Sequence, residues 1–346
     1  MQSRRDIVLG GLIGCAVGDA LGLHREGLSA RRAAKMFPDP DRYYFLGRRG
    51  ATSDDYDHAC MTVEALCAAG GDPEGFAREL ASRIKVWAAC IPGGIGLATL
   101  KSSIKLWVGV SPTKSGVFSA GNGPAMRSHI LGCCISDLPQ LIDFVRASTL
   151  ISHTDPKAFT GALAIAMASR HSSTADRVAA EVFLDETRRA IGSASGDAAF
   201  VRTLEDAIAS VGRGETTQDY AKCLGRSGVS GYIYHTVPVV IHAWLSYPDD
   251  FPTAIKAIIS CGGDSDTTGS ILGGIIGARL GRTGIPSEWI DGLILWPRSI
   301  QKAGALADAL ATGGQSRVPA WKYIMRNAWF DSVVLLHGLR RLAPPY

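Results

Sequence analysis

The sequence has little excess charge of either sign. Its 36 Lys and Arg stand against 32 Asp and Glu, a formal net charge of +4 over 346 residues. So mild a balance argues against nucleic acid or a membrane surface as a partner, because both recruit concentrated basic patches. The basic residues cluster no more densely than pairs such as Arg48-Arg49 and Arg340-Arg341. Also missing is any C-x-x-C pair among the eight cysteines. Cys60 and Cys67 share a helical face, and the adjacent Cys133 and Cys134 cannot form an ordinary disulfide with each other. The set reads as free, partly buried thiols in a reducing compartment, the cytoplasm. No uninterrupted apolar run reaches the roughly 18 residues of a membrane span; the best stretch, residues 270–280, is short and rich in glycine. The start imitates a secretion signal, with Arg4-Arg5 before an apolar run and Leu12-Ile13-Gly14-Cys15 like a lipoprotein cleavage box. However, Asp6 interrupts the basic start, the run over 7–14 is short, and the helical pattern continues to Leu21, so no cleavage is expected,.

Strand patterns are equally scarce. Residues 43–46 and 118–119 are short exceptions at most. Apolar residues recur instead at helical spacing, first at Ile7, Leu12, Ile13, Ala16, Val17, Ala20 and Leu21, then at Met61, Ala65, Leu66 and Ala68,. Further helices are expected over 73–89, 95–108, 138–149, 157–171, 174–193, 197–211, 218–224, 237–245, 252–261, 267–280 and 286–293. The expected fold is all-α, a compact orthogonal bundle of about a dozen or more helices. No fixed-period repeat or long low-complexity linker is present. Residues 305–315 read as a small helix followed by a loop. The tail carries Trp321, Trp329, Phe330 and an apolar run over 333–336, so it must dock on its own body or on a partner. The expected division is a domain over 1–296 and a helical extension over 297–346, in a monomer or weak oligomer.

Against this background two acidic clusters stand out. Ser53-Asp54-Asp55 immediately precedes a helical pattern. Read alone, it is a capped helix start, with Ser at the cap and acids favouring the helix dipole. Gly262-Gly263-Asp264-Ser265-Asp266-Thr267 precedes a second helix. Two Asp at i, i+2 in a non-helical turn can aim both carboxylates at one point, and Thr267 adds a hydroxyl oxygen. Hard cations such as Mg²⁺ favour this oxygen set. Gly269, Gly273, Gly274 and Gly277 weaken the second helix by about 1 kcal/mol each relative to Ala; close approach of a neighbouring helix would explain them. A further acid, Glu26, follows Gly18-Asp19-Ala20-Leu21-Gly22. Were all these acids gathered, each like-charge pair at about 4 Å would cost about 4 kcal/mol at an effective dielectric near 20. Two bridged cations would offset that repulsion.

Taken together, these segments resemble the ADP-ribosylglycohydrolase family, which includes the dinitrogenase reductase-activating glycohydrolases. The matching segments are G-x-x-x-G-D-A-L-G-x-x-x-E (14–26), S-D-D with H-A-C-M (53–61), G-N-G-P-A-M-R (121–127), S-H-T-D-P (152–156), G-Y-I-Y-H-T-V-P (231–238) and G-G-D-S-D-T (262–267). They lie in the family's order and span roughly residues 6–293. The resemblance implies an all-α fold around a dinuclear Mg²⁺ or Mn²⁺ centre. It implies Ser53, Asp54, Asp55, Asp264, Asp266 and Thr267 as ligands, with Glu26 and Asp55 as catalytic carboxylates. Gly121, Asn122, Gly123, Met126, Arg127, His153 and Tyr232 would bind substrate, the Gly121–Gly123 amides suiting phosphate oxygens. Tyr234, like Tyr232, lies where a ring could stack on adenine. His58 reads as a supporting residue rather than a ligand. In one departure, Tyr56 stands where the family commonly has Thr after S-D-D. There it is expected to bring a bulky ring to the rim and modulate the site.

The resemblance implies hydrolysis of the glycosidic bond of an ADP-ribosylated protein or small molecule, with arginine-linked ADP-ribose foremost. Two other outcomes are open at this point: a module that binds ADP-ribose without cleaving it, and a metal-dependent phosphohydrolase.

Overall fold

The computed structural model describes every residue except Met1, Leu46, Arg226, Ser227, Gln315, Ala343, Pro345 and Tyr346. The pattern of apolar residues dictates its centre. Helix α1 (Arg4–Leu23) is buried almost all round from Val8 onward, as is α14 (Ser265–Leu280). A helix with no polar face has to be a core helix. The two run antiparallel, back to back, along a seam of small residues. A Cβ at Gly10, Gly14, Gly18 or Gly22 would lie about 2 Å from the carbonyl oxygen of Gly277, Gly273, Gly269 or Ser265 respectively. The seam is sealed where Ser265 Oγ donates to Gly22 O at 2.9 Å. The close approach inferred from the α14 glycines is therefore real, and its partner is α1.

By length and composition α1 would also pass for a membrane span, which a count of uninterrupted apolar residues misses; 89 % of its most apolar window is buried within the protein.

Around this pair pack α2 (Ala30–Met36), α3 (Asp54–Ala69), α4 (Pro73–Ala89), α5 (Leu97–Trp107), α6 (Ala125–Cys134), α7 (Leu138–Leu150), α8 (Pro156–Thr174), α9 (Ala180–Ser193), α10 (Ala199–Gly212), α11 (Thr217–Leu224), α12 (Ile233–Ser246), α13 (Phe251–Ile259) and α15 (Ser287–Asp291). The chain ends in α16 (Ile300–Thr312), packed on α1 and α3, and α17 (Ala320–Arg341). This is the all-α fold expected. The helix expected over 174–193 starts later: α8 runs on to Thr174, Ala175 turns extended at ψ 137°, and α9 begins only at Ala180. Helix α6 was not among the expected helices; Pro124 stands at its start, where a missing N–H costs nothing,.

Neither expected strand forms. Phe45 makes one bridge to Arg49, Leu46 lies outside the described residues, and Val117 rather than Phe118 or Ser119 bridges to His153. Two ladders of two residues each do matter to the site. β1 (Leu28–Ser29) pairs antiparallel with β3 (Gly262–Gly263), and β2 (Gly50–Ala51) pairs parallel with β4 (Leu293–Ile294).

Candidate active site

Three backbone junctions bring the acids together. The β1–β3 ladder, with Gly27 N donating to Gly263 O at 2.8 Å, ties the loop holding Glu26 to the turn before Asp264. Asp264 N in turn donates to Val229 O at 2.7 Å. Strand β2 delivers Ser53 to the start of α3, where Ser53 Oγ accepts from Asp55 N and caps the helix. Thus the plain capped-helix reading holds, and the chemical one is not excluded by it. The Thr267 hydroxyl donates to Asp55 Oδ2 at 3.1 Å, and Ser53 Oγ donates to the same oxygen at 3.2 Å. Two segments more than 200 residues apart in sequence therefore meet at one carboxylate.

Above them opens a cavity of about 660 Å³. Ser53, Asp54, Asp264, Asp266, Thr267 and Glu26 line its floor. Asp55 lies just beneath, fully buried, and does not reach the cavity. Its expected role as a catalytic carboxylate meets this obstacle: its Oδ2 is held by two hydroxyls, and only Glu26 of the two candidates opens to the cavity. Burial pushes the carboxyls of Asp54, Asp55 and Asp266 well above the usual range, and the neighbouring carboxylates push them further. Glu26 is raised by partial loss of hydration and then by Asp264. Asp264 is also raised by burial, though the amide of Asn122, donating to Oδ2 at 2.6 Å, opposes the shift.

Among the described residues no three Asp, Glu, His or Cys side chains converge into a ready-made metal cage. The oxygen set is mixed, with Ser53 and Thr267 hydroxyls interleaved among the acids. It nevertheless fits a hard cation, because Asp55 Oδ1 and Asp266 Oδ1 are buried with no hydrogen-bond partner in the protein,.

Residues 121–123 form a rim of the same cavity, joined to the acids where Asn122 meets Asp264. A Cβ on Gly121 would come 3.1 Å from His153 Nε2, and one on Gly123 3.1 Å from His153 Cε1. The loop lies close against the Nε2–Cε1 edge of the imidazole, where any side chain would crowd the ring. Asn122 locks the loop, its N donating to Gly231 O and its side chain to Thr236 and Asp264. Met126 lines the same end. Burial holds His153 neutral, its ring lowered to about 3. Arg127 supports the ring from behind: its guanidinium donates to Ser152 Oγ at 2.9 Å, and that hydroxyl is hydrogen-bonded to His153 Nδ1 at 2.9 Å.

Several expectations need correction. Arg127 does not line the cavity. It is fully buried and also holds Ser148 and Gly123 O, so it positions the rim rather than touching a ligand. Tyr232 and Tyr234 do not line it either. The Tyr232 hydroxyl accepts from Lys157 Nζ at 3.3 Å, while Tyr234 packs on Phe200 and donates to Asp197. The backbone beside them, at Ser230 and Gly231, forms the wall instead. His58 is fully buried; its Nδ1 accepts from Arg127, and its ring meets Trp87 edge-on. Tyr56 is not at the rim. It is 2 % exposed, turned into the core, with its hydroxyl donating to Arg298 O at 3.1 Å. Helical geometry explains this: one residue past Asp55, the chain has turned about 100° away from the cavity.

Sequence reasoning missed Asp19. Buried in α1, its carboxylate accepts from Ser53 N at 2.9 Å and Tyr56 N at 3.2 Å, and burial raises it to about 7. The signal was an acid inside an otherwise apolar helix. Also missed were Thr99, Ser119, Leu23, Gly93 and Gly94, and Phe330 and Val334 from α17.

With this geometry in hand, comparison with known proteins is decisive. The ADP-ribosylglycohydrolase family model matches residues 1–319. The chain belongs to this family. An uncharacterized protein of Archaeoglobus fulgidus is 29 % identical over 82 % of this chain and 90 % of its own. The ADP-ribosyl-[dinitrogen reductase] glycohydrolase of Rhodospirillum rubrum is 26 % identical over 84 % of this chain and 91 % of its own. ADP-ribosylhydrolase ARH3 of Xenopus tropicalis is 26 % identical over 81 % and 89 %. A solved ADP-ribosylglycohydrolase-related protein complex aligns with TM-score 0.66 and 25 % identity, covering 90 % of this chain and 99 % of that one. Family and relatives point to ADP-ribosylhydrolase activity.

Proposed function

We propose that this protein hydrolyses the glycosidic bond at C1″ of ADP-ribosylated substrates, arginine-linked ADP-ribose foremost, and releases ADP-ribose. The observation that carries this reading is the meeting of Thr267 and Ser53 on Asp55, with two orphaned carboxylate oxygens, in one cavity with a glycine rim backed by a neutral imidazole. Gly121 N and Asn122 N already donate to Ser119 Oγ and Gly231 O, so the part of the rim suited to a diphosphate oxygen is the Gly123 amide beside the neutral His153 ring,. Ser53, Asp54, Asp55, Asp264, Asp266 and Thr267 would hold two divalent ions, Mg²⁺ or Mn²⁺. Such ions, when bound, supply a fixed positive template for hydroxyl oxygens and acidify water.

The remaining work falls to the chain itself. Asn122 keeps Asp264 facing the rim. Hydrolysis breaks the bond from C1″ to the leaving atom, which takes a proton while a water oxygen goes to C1″. Glu26, open to the cavity and raised above an ordinary Glu, is suited to holding that proton at its carboxyl,. The surrounding anions favour the oxocarbenium-like transition state of glycosidic cleavage.

Tyr56 lies in the core, away from the cavity, and does not bring its ring to the rim. The unpaired thiols suit a cytoplasmic location,. A panel of arginine-, serine- and O-acetyl-linked ADP-ribose, with and without Mg²⁺ or Mn²⁺, tests the proposal. Free ADP-ribose is the expected product. AMP would indicate a phosphohydrolase, and tight ADP-ribose binding without release would indicate a binding module. Turnover in excess chelator, with metal loss verified, would remove the metal from the mechanism.

A further inference from the structure

Helix α17 begins at Ala320, just past the residues that match the family model. Its apolar residues must dock somewhere, and only one side of the helix has done so. The inner face, with Tyr323, Arg326, Phe330, Val333 and His337, is buried against the body. Arg326 donates to the carbonyls of Thr52 and Ser53, the latter at 3.3 Å. Asn327 donates to Cys90 O at 2.8 Å, and Arg341 donates to Glu26 O at 2.8 Å. Three backbone segments thus hold the helix, and its other face stands on a fixed support. That outer face carries Trp321, Ile324, Met325, Leu335, Leu336 and Leu339, each between 55 and 67 % exposed. At about 100° per residue these six fall within about 60° either side of one line, opposite the inner face. No charged residue interrupts the strip, whose middle is Ala328 and Ser332.

Period and area identify what fits the strip. Trp321, Ala328 and Leu335 repeat every seventh residue, as do Met325, Ser332 and Leu339, and the two series alternate at steps of four and three. Helices seat against one another with this spacing, and the small Ala328 and Ser332 allow close approach at the centre. The six large side chains leave roughly 700 Å² of apolar surface on one face, above the roughly 300–600 Å² of the largest patch on an ordinary monomer,. Each partner in a standard interface contributes about 800 Å². Trp296, also exposed, has its ring centroid 6.5 Å from that of Trp321 and carries the patch onto the body. A helix that lies on a membrane carries many Lys and Arg beside its apolar face. Here the flanks hold Lys322 and Arg340 on one edge and Asp331 on the other,, which suits a protein face instead. We propose that the occupant is a second copy of this chain, and that the protein forms a twofold dimer through the outer face of α17. A seam repeating every seven residues fits its own copy, and a twofold axis buries the same strip on both sides. Because the helix is already ordered on its body, pairing costs little in chain entropy.

Sedimentation velocity on the full-length protein, from about 1 to about 100 µM, tests this; a monomer–dimer equilibrium with Kd of about 10 µM or tighter is expected. Met325→Glu and Leu335→Glu each enter the seam twice and should weaken the dimer by about thirtyfold or more. Both positions are exposed in the single chain, so the melting temperature of the dilute protein should not move. Val182→Glu, at an exposed apolar position on α9, should leave the dimer as it is. A wild type that stays monomeric at about 100 µM overturns the proposal, since so large a seam would by then be paired. So does a dimer that Met325→Glu and Leu335→Glu leave intact, which would be built on another face. Binding of a monomeric wild type to vesicles of phosphatidylserine and phosphatidylcholine, lost in the same two variants, would make the strip a membrane surface and overturn the dimer too. The dimer stands or falls independently of the hydrolase reading.

Discussion

The two rims of the cavity are built on opposite principles. The rim over 121–123 consists of backbone, with no side chain at two of three positions, and a polar network from Arg127 through Ser152 to His153 fixes it from behind. The rim at α17 consists of side chains: apolar Phe330 and Val334 face the cavity, and polar residues reach past them to hold the backbone of other elements. A backbone rim recognises something invariant in shape and charge, such as a diphosphate. A side-chain rim can be retuned one residue at a time and suits the variable part of a substrate. Between them the acidic floor serves both.

The largest expected effect removes that floor. Asp266→Ala should lower turnover by about a thousandfold or more, while thermal stability without metal holds or rises, since one buried like charge is gone. ADP-ribose release and calorimetric melting check both halves; loss of folding would show the acid to be structural. Next comes the backbone rim. Gly123→Val should weaken ADP-ribose binding by about a hundredfold, because the new side chain enters the His153 ring,. The same measurement on Val334→Ala should barely move, and equal losses at the two positions would erase the distinction between the rims.

Arg326→Ala comes third. It frees the carbonyls of Thr52 and Ser53 and should weaken Mn²⁺ binding by about tenfold, with partial recovery in Arg326→Lys. Titration calorimetry reads this directly. A pH effect follows from the floor itself. Asp54, Asp55 and Asp266 hold protons to higher pH than ordinary carboxylates, through burial first and neighbouring carboxylates second. A cation must displace those protons, so Mn²⁺ affinity should fall as pH drops from about 8 to about 6, with proton release on binding. His153, lowered to about 3 by burial, should contribute nothing to the profile across that range. The smallest effect belongs to Tyr56→Phe, which loses one hydrogen bond to Arg298 O. It should cost about 1 kcal/mol of stability and leave turnover within about twofold.

Tyr56 also marks where the sequence stopped being readable. Its neighbours Ser53, Asp54 and Asp55 announced an oxygen cluster by residue type alone, and the convergence of this cluster with 264–267 came from the resemblance to a family. Where each side chain points was not in the sequence: Tyr56 and Arg127 sit beside site residues in the chain and turn into the core. Asp19 was quoted inside a motif yet passed over, because its role depends on α3 starting beside it in space. The helices were legible wherever one apolar stripe recurred, and α4 matches its expected span end to end. Helix α6 was not, because it is short, buried all round and follows directly on a glycine-proline motif, so no apolar stripe marks it. The helical character of the tail was expected, but the place of α17 was not, because Phe330 and Val334 reach the cavity only through the way the helix docks.

The glycine seam between α1 and α14 has a consequence for how this protein is made. Gly22 and Ser265 touch across 243 residues of chain. At roughly 5–20 residues per second, most of the polypeptide must leave the ribosome before α1 meets its partner. During that interval α1 is an apolar helix, long enough for a bilayer, with its glycine face bare. Contacts this distant in sequence form slowly. The floor of the active site is therefore among the last parts to assemble. Seam substitutions such as Gly14→Leu should show themselves first in the yield of soluble chain, before any change in catalysis can be measured.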